Sequence, residues 1–434
     1  LEKFFPNIKK QIDINKNLLK IDYKKNNLSI EGGGDILFQK TNDKIKYQFE
    51  NQDKVYKFQT SLIIKDNPFV LSALSYKKNK NTKLIIDVKG NHILNKHTLL
   101  KKINIGENDN IIKLEDLLIS KDFKIQNLKS ADLNFLDNES IRNNISVKKK
   151  KDIYYLSGPI FNANQLINNL INKDDDKTNI FEKNLSIKLN IDLIYLDNEH
   201  KVKDLKGNLD IFNNEISKAN LKAYFFDDKE MKFTINKDNE NKITTLFLGN
   251  AEPIIKRYKF IKGFKDGSLD FYSTKKGNKS NSIIKIYDFK LRELSVLTKL
   301  LTLASLQGIA DTLTGEGIRF NEFEMNFDIQ KNLMTINEIY AIGPAISVLM
   351  DGYIQKNEII SLRGTLVPAT TLNKVIGSIP FLGKILVGPK SGEGVFGVSF
   401  KIKGPPKKLE TTVNPIKTLT PRFITRTIEK IKTN

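Results

Sequence analysis

Leu185-Ser186-Ile187-Lys188-Leu189-Asn190-Ile191-Asp192-Leu193 alternates apolar and polar residues without a break. Successive side chains of an extended chain point to opposite faces, so this stretch predicts a strand with one apolar and one wet face. The same period recurs at Met231, Phe233 and Ile235, at Phe323, Met325, Phe327 and Ile329, and at Phe396, Val398, Phe400 and Ile402. Ile45, Tyr47 and Phe49, followed across Asn51-Gln52-Asp53 by Tyr56 and Phe58, read as a hairpin. Clusters such as Asp227-Asp228-Lys229 and Asn236-Lys237-Asp238-Asn239 supply turns. The expectation is a mainly β protein built on a long, curved antiparallel sheet, not on alternating strands and helices.

Helical signals are few. Short helices are expected at Thr98–Lys102, Glu115–Ser120 and Asn164–Asn172. A longer one is expected from Arg292 to Leu313, with Leu294, Leu297, Leu301 and Ala304 on one stripe and Leu303, Leu306, Ala310 and Leu313 continuing it. Lys299, Gln307 and Asp311 interrupt that segment, which favours a helix capping the sheet over one crossing a membrane. A C-terminal helix is expected from Thr420 as N-cap and Pro421 at the first helical position, with Ile424, Ile428 and Ile431 on its apolar face.

The composition narrows function by exclusion. Of 434 residues, Lys+Arg number 71 and Asp+Glu 50, a formal charge of +21, while 39% are hydrophobic, too many for a disordered polycation. Nearly all the positive charge is Lys, accompanied by abundant Asn and Ile as in proteins from AT-rich genomes. The simplest reading is a solvated surface; attraction to anionic lipid or nucleic acid is the alternative. Arg, whose planar fork reads phosphates and base edges, is scarce, so nucleic acid is not the expected partner. Cys is absent and His occurs three times, which leaves no thiolate chemistry and no His-rich metal site.

No catalytic constellation emerges. Gly383 and Gly388 have phosphate-loop spacing, but Pro389 stands where Lys should follow and removes a backbone donor. Gly32-Gly33-Gly34 lies between strand-like segments and reads as a turn or bulge. His92 and His97 are five apart without a Glu between them, and His200 follows Glu199 in a polar loop. The runs Lys148–Lys151 and Lys173–Lys177 read as loops. The expectation is a non-enzyme without metal or cofactor.

What remains is a long one-sided sheet. Twenty or more strands at about 4.8 Å would span roughly 100 Å, and two or three helices cannot cover such a face. Either the sheet curls into an open groove or something apolar fills it. Lipid suits the second option, because each shielded CH₂ is worth about 0.8 kcal/mol and a sixteen-carbon chain on the order of 12 kcal/mol. Leu185, Ile187, Leu189, Ile191, Leu193, Met231, Phe233, Ile235, Phe323, Met325, Phe327, Ile329, Phe396, Val398 and Phe400 are the candidate lining.

The chain divides by composition into strand-rich portions 1–150 and 151–290 and a terminal region 291–434 richer in Gly and Pro. The terminal region resembles the AsmA-like family, in particular the C-terminal region of its YhdP-type members. The matching elements run through Leu303–Ala310, Gly315–Phe320, Gly364–Pro368, Leu372-Asn373, Ile379-Pro380 to Gly383 and Leu386, then Gly394, Gly404, Val413-Asn414-Pro415 and Leu419–Phe423. Pro368, Asn373, Pro380, Gly383, Asn414 and Pro415 carry most of this signature. Gly158–Ala163 is similar to a short Gly-x-x-x-Asp-Ala element of the same proteins, with Asn162 in place of the acid. The resemblance implies a periplasmic β-groove protein of a Gram-negative bacterium, moving phospholipid between inner and outer membranes. It implies acyl chains and membranes as partners and no catalytic residues. The family's N-terminal anchor is not in this sequence, which begins at Leu1, so an inner-membrane anchor is expected upstream. A non-transporting envelope scaffold that binds a protein partner is the second expectation.

Overall fold

A computed structural model describes residues 4–6, 8, 12–24, 27–52, 54–171, 184–212, 215–238, 240–257, 263–292, 295–303, 315–368, 397–406 and 408–416. It is mainly β, with 71% strand and 6% helix. The chain forms two compact units, residues 1–227 and 228–434. The compositional change near residue 290 falls inside the second.

The first unit contains β1 (Asp13–Lys24), β2 (Asn27–Leu37), β3 (Asp43–Gln52), β4 (Val55–Ile64), β5 (Val70–Leu71), β6 (Tyr76–Lys77), β7 (Leu84–Ile93) and β8 (His97–Glu107). It continues with β9 (Asn110–Ser120), β10 (Ile125–Asn127), β11 (Ser130–Leu136), β12 (Arg142–Lys150) and β13 (Ile153–Asn162). Helix α1 (Asn164–Ile171) is followed by β14 (Leu185–Tyr195), β15 (Lys201–Phe212) and β16 (Glu215–Phe225). Successive strands pair antiparallel from β1 to β4 and then β7 to β9. β10 and β11 both pair with β9, and the meander continues through β12 and β13. The expected all-antiparallel sheet is corrected at one point: β13 and β14 run parallel. A parallel pair requires a crossover, and α1 lies on it. β14 to β16 return to antiparallel pairing.

The second unit is an uninterrupted antiparallel meander: β17 (Glu230–Asp238), β18 (Asn241–Leu248), β19 (Lys265–Lys276), β20 (Lys279–Leu291), β21 (Ile318–Gln330), β22 (Leu333–Ile342), β23 (Ile346–Gln355), β24 (Ile359–Pro368), β25 (Gly397–Gly404) and β26 (Glu410–Ile416). Two short helices, α2 (Glu252–Ile255) and α3 (Ser295–Leu303), accompany it. Neither unit closes its sheet into a barrel.

Several local readings change. Thr98–Lys102 and Glu115–Ser120 are strand, in β8 and β9, paired with their neighbours along their length; in β8 a bulge at Lys101 breaks the period of two. Lys148–Lys150 end β12, and only Lys151 enters the turn. Asn236–Asp238 extend β17 instead of turning. Gly32–Gly34 lie inside β2, opposite a bulge in β1 between Asn15 and Leu18. The hairpin β3–β4 and the helix near Asn164 form where expected. Of the longer helix expected after Arg292, Ser295–Leu303 is helical; Leu294 and Leu306 lie outside the described residues, as does the segment from Thr420.

Candidate functional site

The alternation of single strands becomes a surface once register is fixed. In the first unit, Ile45, Leu62, Ile86, Ile105, Ile112, Leu133 and Ile145 are register partners in turn across seven strands. Two residues along, the next row on the same face runs Val88, Ile103, Leu114, Ala131, Val147, Leu156 and Leu189. The adjacent row on the other face is Lys46, Ser61, Asp87, Asn104, Lys113, Asp132, Ser146, Ser157, Asn190, Lys206 and Lys222. It contains no apolar residue, so the two faces separate completely along these rows.

The second unit repeats the arrangement. One row is Met231, Leu248, Leu269, Ile286, Phe323, Ala341, Val348, Leu366, Val398 and Pro415. The next is Phe233, Leu246, Phe271, Ile284, Met325, Ile339, Met350, Gly364, Phe400 and Val413. At Gly364 a Cβ would stand 2.7 Å from the Phe400 ring, so glycine lets that ring lie flat along the row. Gly90 does the same beside Phe58, at 2.8 Å.

Burial is graded along the strands. Ile105, Ile112, Leu133 and Ile145 are buried, whereas Ile103, Leu114, Val147, Leu156 and Leu189 are only half-buried. In the second unit Leu248, Leu269, Ile286, Val348 and Leu366 are buried, whereas Phe233, Leu246, Phe271, Ile284, Met325 and Met350 are half-buried. Each face is thus covered at one end and more open further along, though not throughout: in the second unit Ile339 and Phe400 are buried within the next row, and Ile235, Phe327 and Ile336 beyond it.

In the first unit the covered end has an identifiable plug. Residues between β4 and β7, including β5, β6 and the turn Ser72–Leu74, pack Phe69, Leu71, Leu74 and Tyr76 against Ile64, Leu84, Ile112 and Phe135. Phe5 adds edge-on contacts to Phe38 and Phe69 at 4.9 and 5.3 Å. Glu107, 1% exposed, pins the plug: it accepts the Tyr76 hydroxyl at 2.6 Å, the Asn79 amide at 2.7 Å and the Thr82 hydroxyl. Burial, with the Glu107 carboxylate beside it, pushes the Tyr76 phenol well above its ordinary pKa. Asp43, linked to Asn67 at 2.7 Å, is also raised, chiefly by burial. In the second unit α3 lies against β26, with Leu297, Leu300 and Leu301 buried.

The candidate lining residues fall as follows. Leu185, Ile187, Leu189, Ile191 and Leu193 share the apolar face of β14, with Ile191 buried and the other four half-buried. Met231, Phe233 and Ile235 meet Phe323, Met325 and Phe327 through three parallel rows, the third passing through Thr244, Ser273 and Ser282, and Val398 and Phe400 lie in the first two. Ile329 packs with that group, in which Phe327, Ile336 and Ile339 are buried. Phe396, Asn373, Pro380 and Gly383 lie outside the described residues. Pro368 pairs with Ile346, Asn414 with Ser399 and Pro415 with Val398. Val88, Ile103, Leu114, Val147 and Leu156 line the same surface yet were not singled out from sequence. Of their strands, β8 and β13 carry bulges that interrupt the alternation.

Polar clusters elsewhere are structural in form. Asn162 donates to Asp137 and Glu139 at 2.8 and 2.9 Å and accepts the Asn164 amide at 3.0 Å, holding the entry to α1. His200 bonds Asp197 at 2.8 Å within its turn, and His92 bonds Thr98 at 2.9 Å. Among the described residues no group of His, Asp and Glu could hold a metal, and no helix is long and apolar enough to cross a membrane. Comparison of the chain with family models, with curated proteins and with solved structures found no match.

Proposed function

We propose that the chain binds phospholipid acyl chains along the apolar sheet face and conducts them between the inner and outer membranes of a bacterial envelope. The observation that carries this reading is the continuity of two apolar rows in which most residues are half-buried and Ala131, Ile339 and Phe400 are buried. With strands about 4.8 Å apart, the Val88–Leu189 row covers roughly 30 Å and the Phe233–Val413 row roughly 43 Å. A leaflet's hydrocarbon is about 15 Å deep, so either row outruns an acyl chain. A chain moving along such a row exchanges one apolar contact for the next and never meets water in full. Scattered pockets would instead cost on the order of 12 kcal/mol for each sixteen-carbon chain that left one. The resemblance of the terminal region to AsmA-like proteins supports the same reading, including a periplasmic location and an anchor in the inner membrane.

The second reading is an envelope scaffold that binds a protein. It is favoured by β1, an exposed strand hydrogen-bonded only to β2 among the described strands, on which Leu18 is 85% exposed and Leu19, Ile21 and Tyr23 are also exposed. Photo-crosslinkers at Leu156, Leu189 and Met325 separate the two. Capture of phospholipid supports conduction, whereas capture of protein alone at those positions favours the scaffold.

A further inference from the structure

β1 is an exposed edge of the first unit. Among the described strands it is hydrogen-bonded only to β2, and every residue after Asp13 is exposed. A free edge of this length is a template for another strand, and folded proteins usually blunt it with a bulge, a proline or a short strand. In β1 a bulge between Asn15 and Leu18, with Lys16 at φ 50°, disrupts only the first part. Leu18–Lys24 pair regularly with β2 and contain no proline.

The side chains of this stretch divide between the two faces. Leu19, Ile21 and Tyr23 extend the apolar face to the edge: Leu19 continues through Gly32, Tyr47 and Thr60 to Val88, and Ile21 through Ile30 and Phe49 to Phe58. Leu18, Lys20, Asp22 and Lys24 lie on the polar face, in register with Gly33, Glu31, Ser29 and Asn27 of β2. Lys20 and Asp22 stand 3.5 Å apart along the strand, both exposed.

We propose that β1 pairs antiparallel with β1 of a second copy of this chain, about a two-fold axis through Ile21. An axis normal to the sheet sets Ile21 opposite itself and Leu19 opposite the partner's Tyr23, and keeps both apolar faces on one side. On the polar face Lys20 then meets the partner's Asp22, twice over by symmetry, and the stem of Lys24 covers Leu18. Neighbouring registers lose this match. Centring the pair on Lys20 sets lysine against lysine, and centring it on Asp22 sets acid against acid; like charges directly opposite are destabilising. A slip of one residue joins an apolar face to a polar one. Larger shifts run into the bulge or past the end of β1. Charge and apolar pattern together therefore select a second copy and a single register. Each copy spends its β1 in the contact, so the assembly closes at two. The proposal does not depend on lipid conduction, and it gives β1 an occupant other than the protein partner of the second reading.

The test is analytical ultracentrifugation of the full chain over a range of concentrations. The parent should pass from 49.6 kDa to twice that mass as concentration rises. Lys20→Asp and Asp22→Lys each set like charges together, and each should weaken the dimer by about tenfold or more. Mixed in equal amounts, the two variants oppose acid and base at both positions and should form a heterodimer about as tight as the parent dimer. Recovery on mixing separates a lost interface from a lost fold. The chain has no cysteine, so a single one reports the register. Ile21→Cys should cross-link to a second copy under mild oxidation, whereas Leu18→Cys, at a more exposed position, should not. A parent that stays monomeric, single variants that dimerise as the parent does, or a mixture that does not associate would each overturn the proposal. So would a photo-crosslinker at Leu19 that captures lipid or a different protein and no second copy.

Discussion

Leu189 and Phe327 both belong to apolar rows, but only one can report on function separately from folding. Phe327 is buried with Ile336 and Ile339, so a charge there would cost several kcal/mol and unfold the unit. Leu189 is half-buried between Leu156 and Gly207. Leu189→Asp should therefore leave the melting temperature within a few degrees of the parent while lowering lipid transfer between vesicles at least fivefold. Unchanged transfer would remove this row from the path. Tyr76 sets a different test. Its proton is held more tightly in the folded chain than in the unfolded, where a phenol titrates near pH 10. Its contribution is then complete below pH 10 and is lost as pH rises beyond it. Tyr76→Phe should cost about 1–3 kcal/mol at pH 7 by leaving Glu107 short of a donor, and should flatten the decline in stability above pH 10. Denaturant titrations at pH 7, 9 and 11 measure both effects.

At the scale of elements, the plug between β4 and β7 closes one end of the apolar face. Phe69→Ala should cost about 3–5 kcal/mol and expose that end, increasing binding of an apolar dye to the folded protein. A folded variant with unchanged dye binding would show that the plug does not seal the face. The plug was invisible in the sequence because its apolar residues follow neither period. Phe69, Leu71, Leu74 and Tyr76 reach the sheet from a loop, and the carboxylate that pins it, Glu107, is distant in sequence. Strands with clean alternation, such as Leu185–Leu193 and Phe323–Ile329, were legible because their backbone is regular. β8 was not, since the bulge at Lys101 spaces Leu99, Leu100 and Ile103 like a helix, nor was β9, where Leu117, Leu118 and Ile119 follow one another without alternation. The parallel β13–β14 pair was hidden for another reason: strand direction leaves no mark on the period of side chains.

At the scale of the whole molecule, the rows of the first unit give the lysines a place apart from the apolar residues. Lys46, Lys113, Lys206 and Lys222 lie on the face opposite Leu114, Leu156 and Leu189. No single strand reveals that continuity, which depends on the register of every neighbouring pair. Lipid occupancy of the apolar rows is the central claim, and native mass spectrometry of the full chain, purified without detergent from a bacterial envelope fraction, tests it most directly. The predicted result is a set of bound masses matching intact phospholipids, removed by organic extraction and diminished in a Leu156→Asp/Leu189→Asp variant that remains folded. A folded, monodisperse chain that carries no lipid and takes up none from phospholipid vesicles would contradict the account.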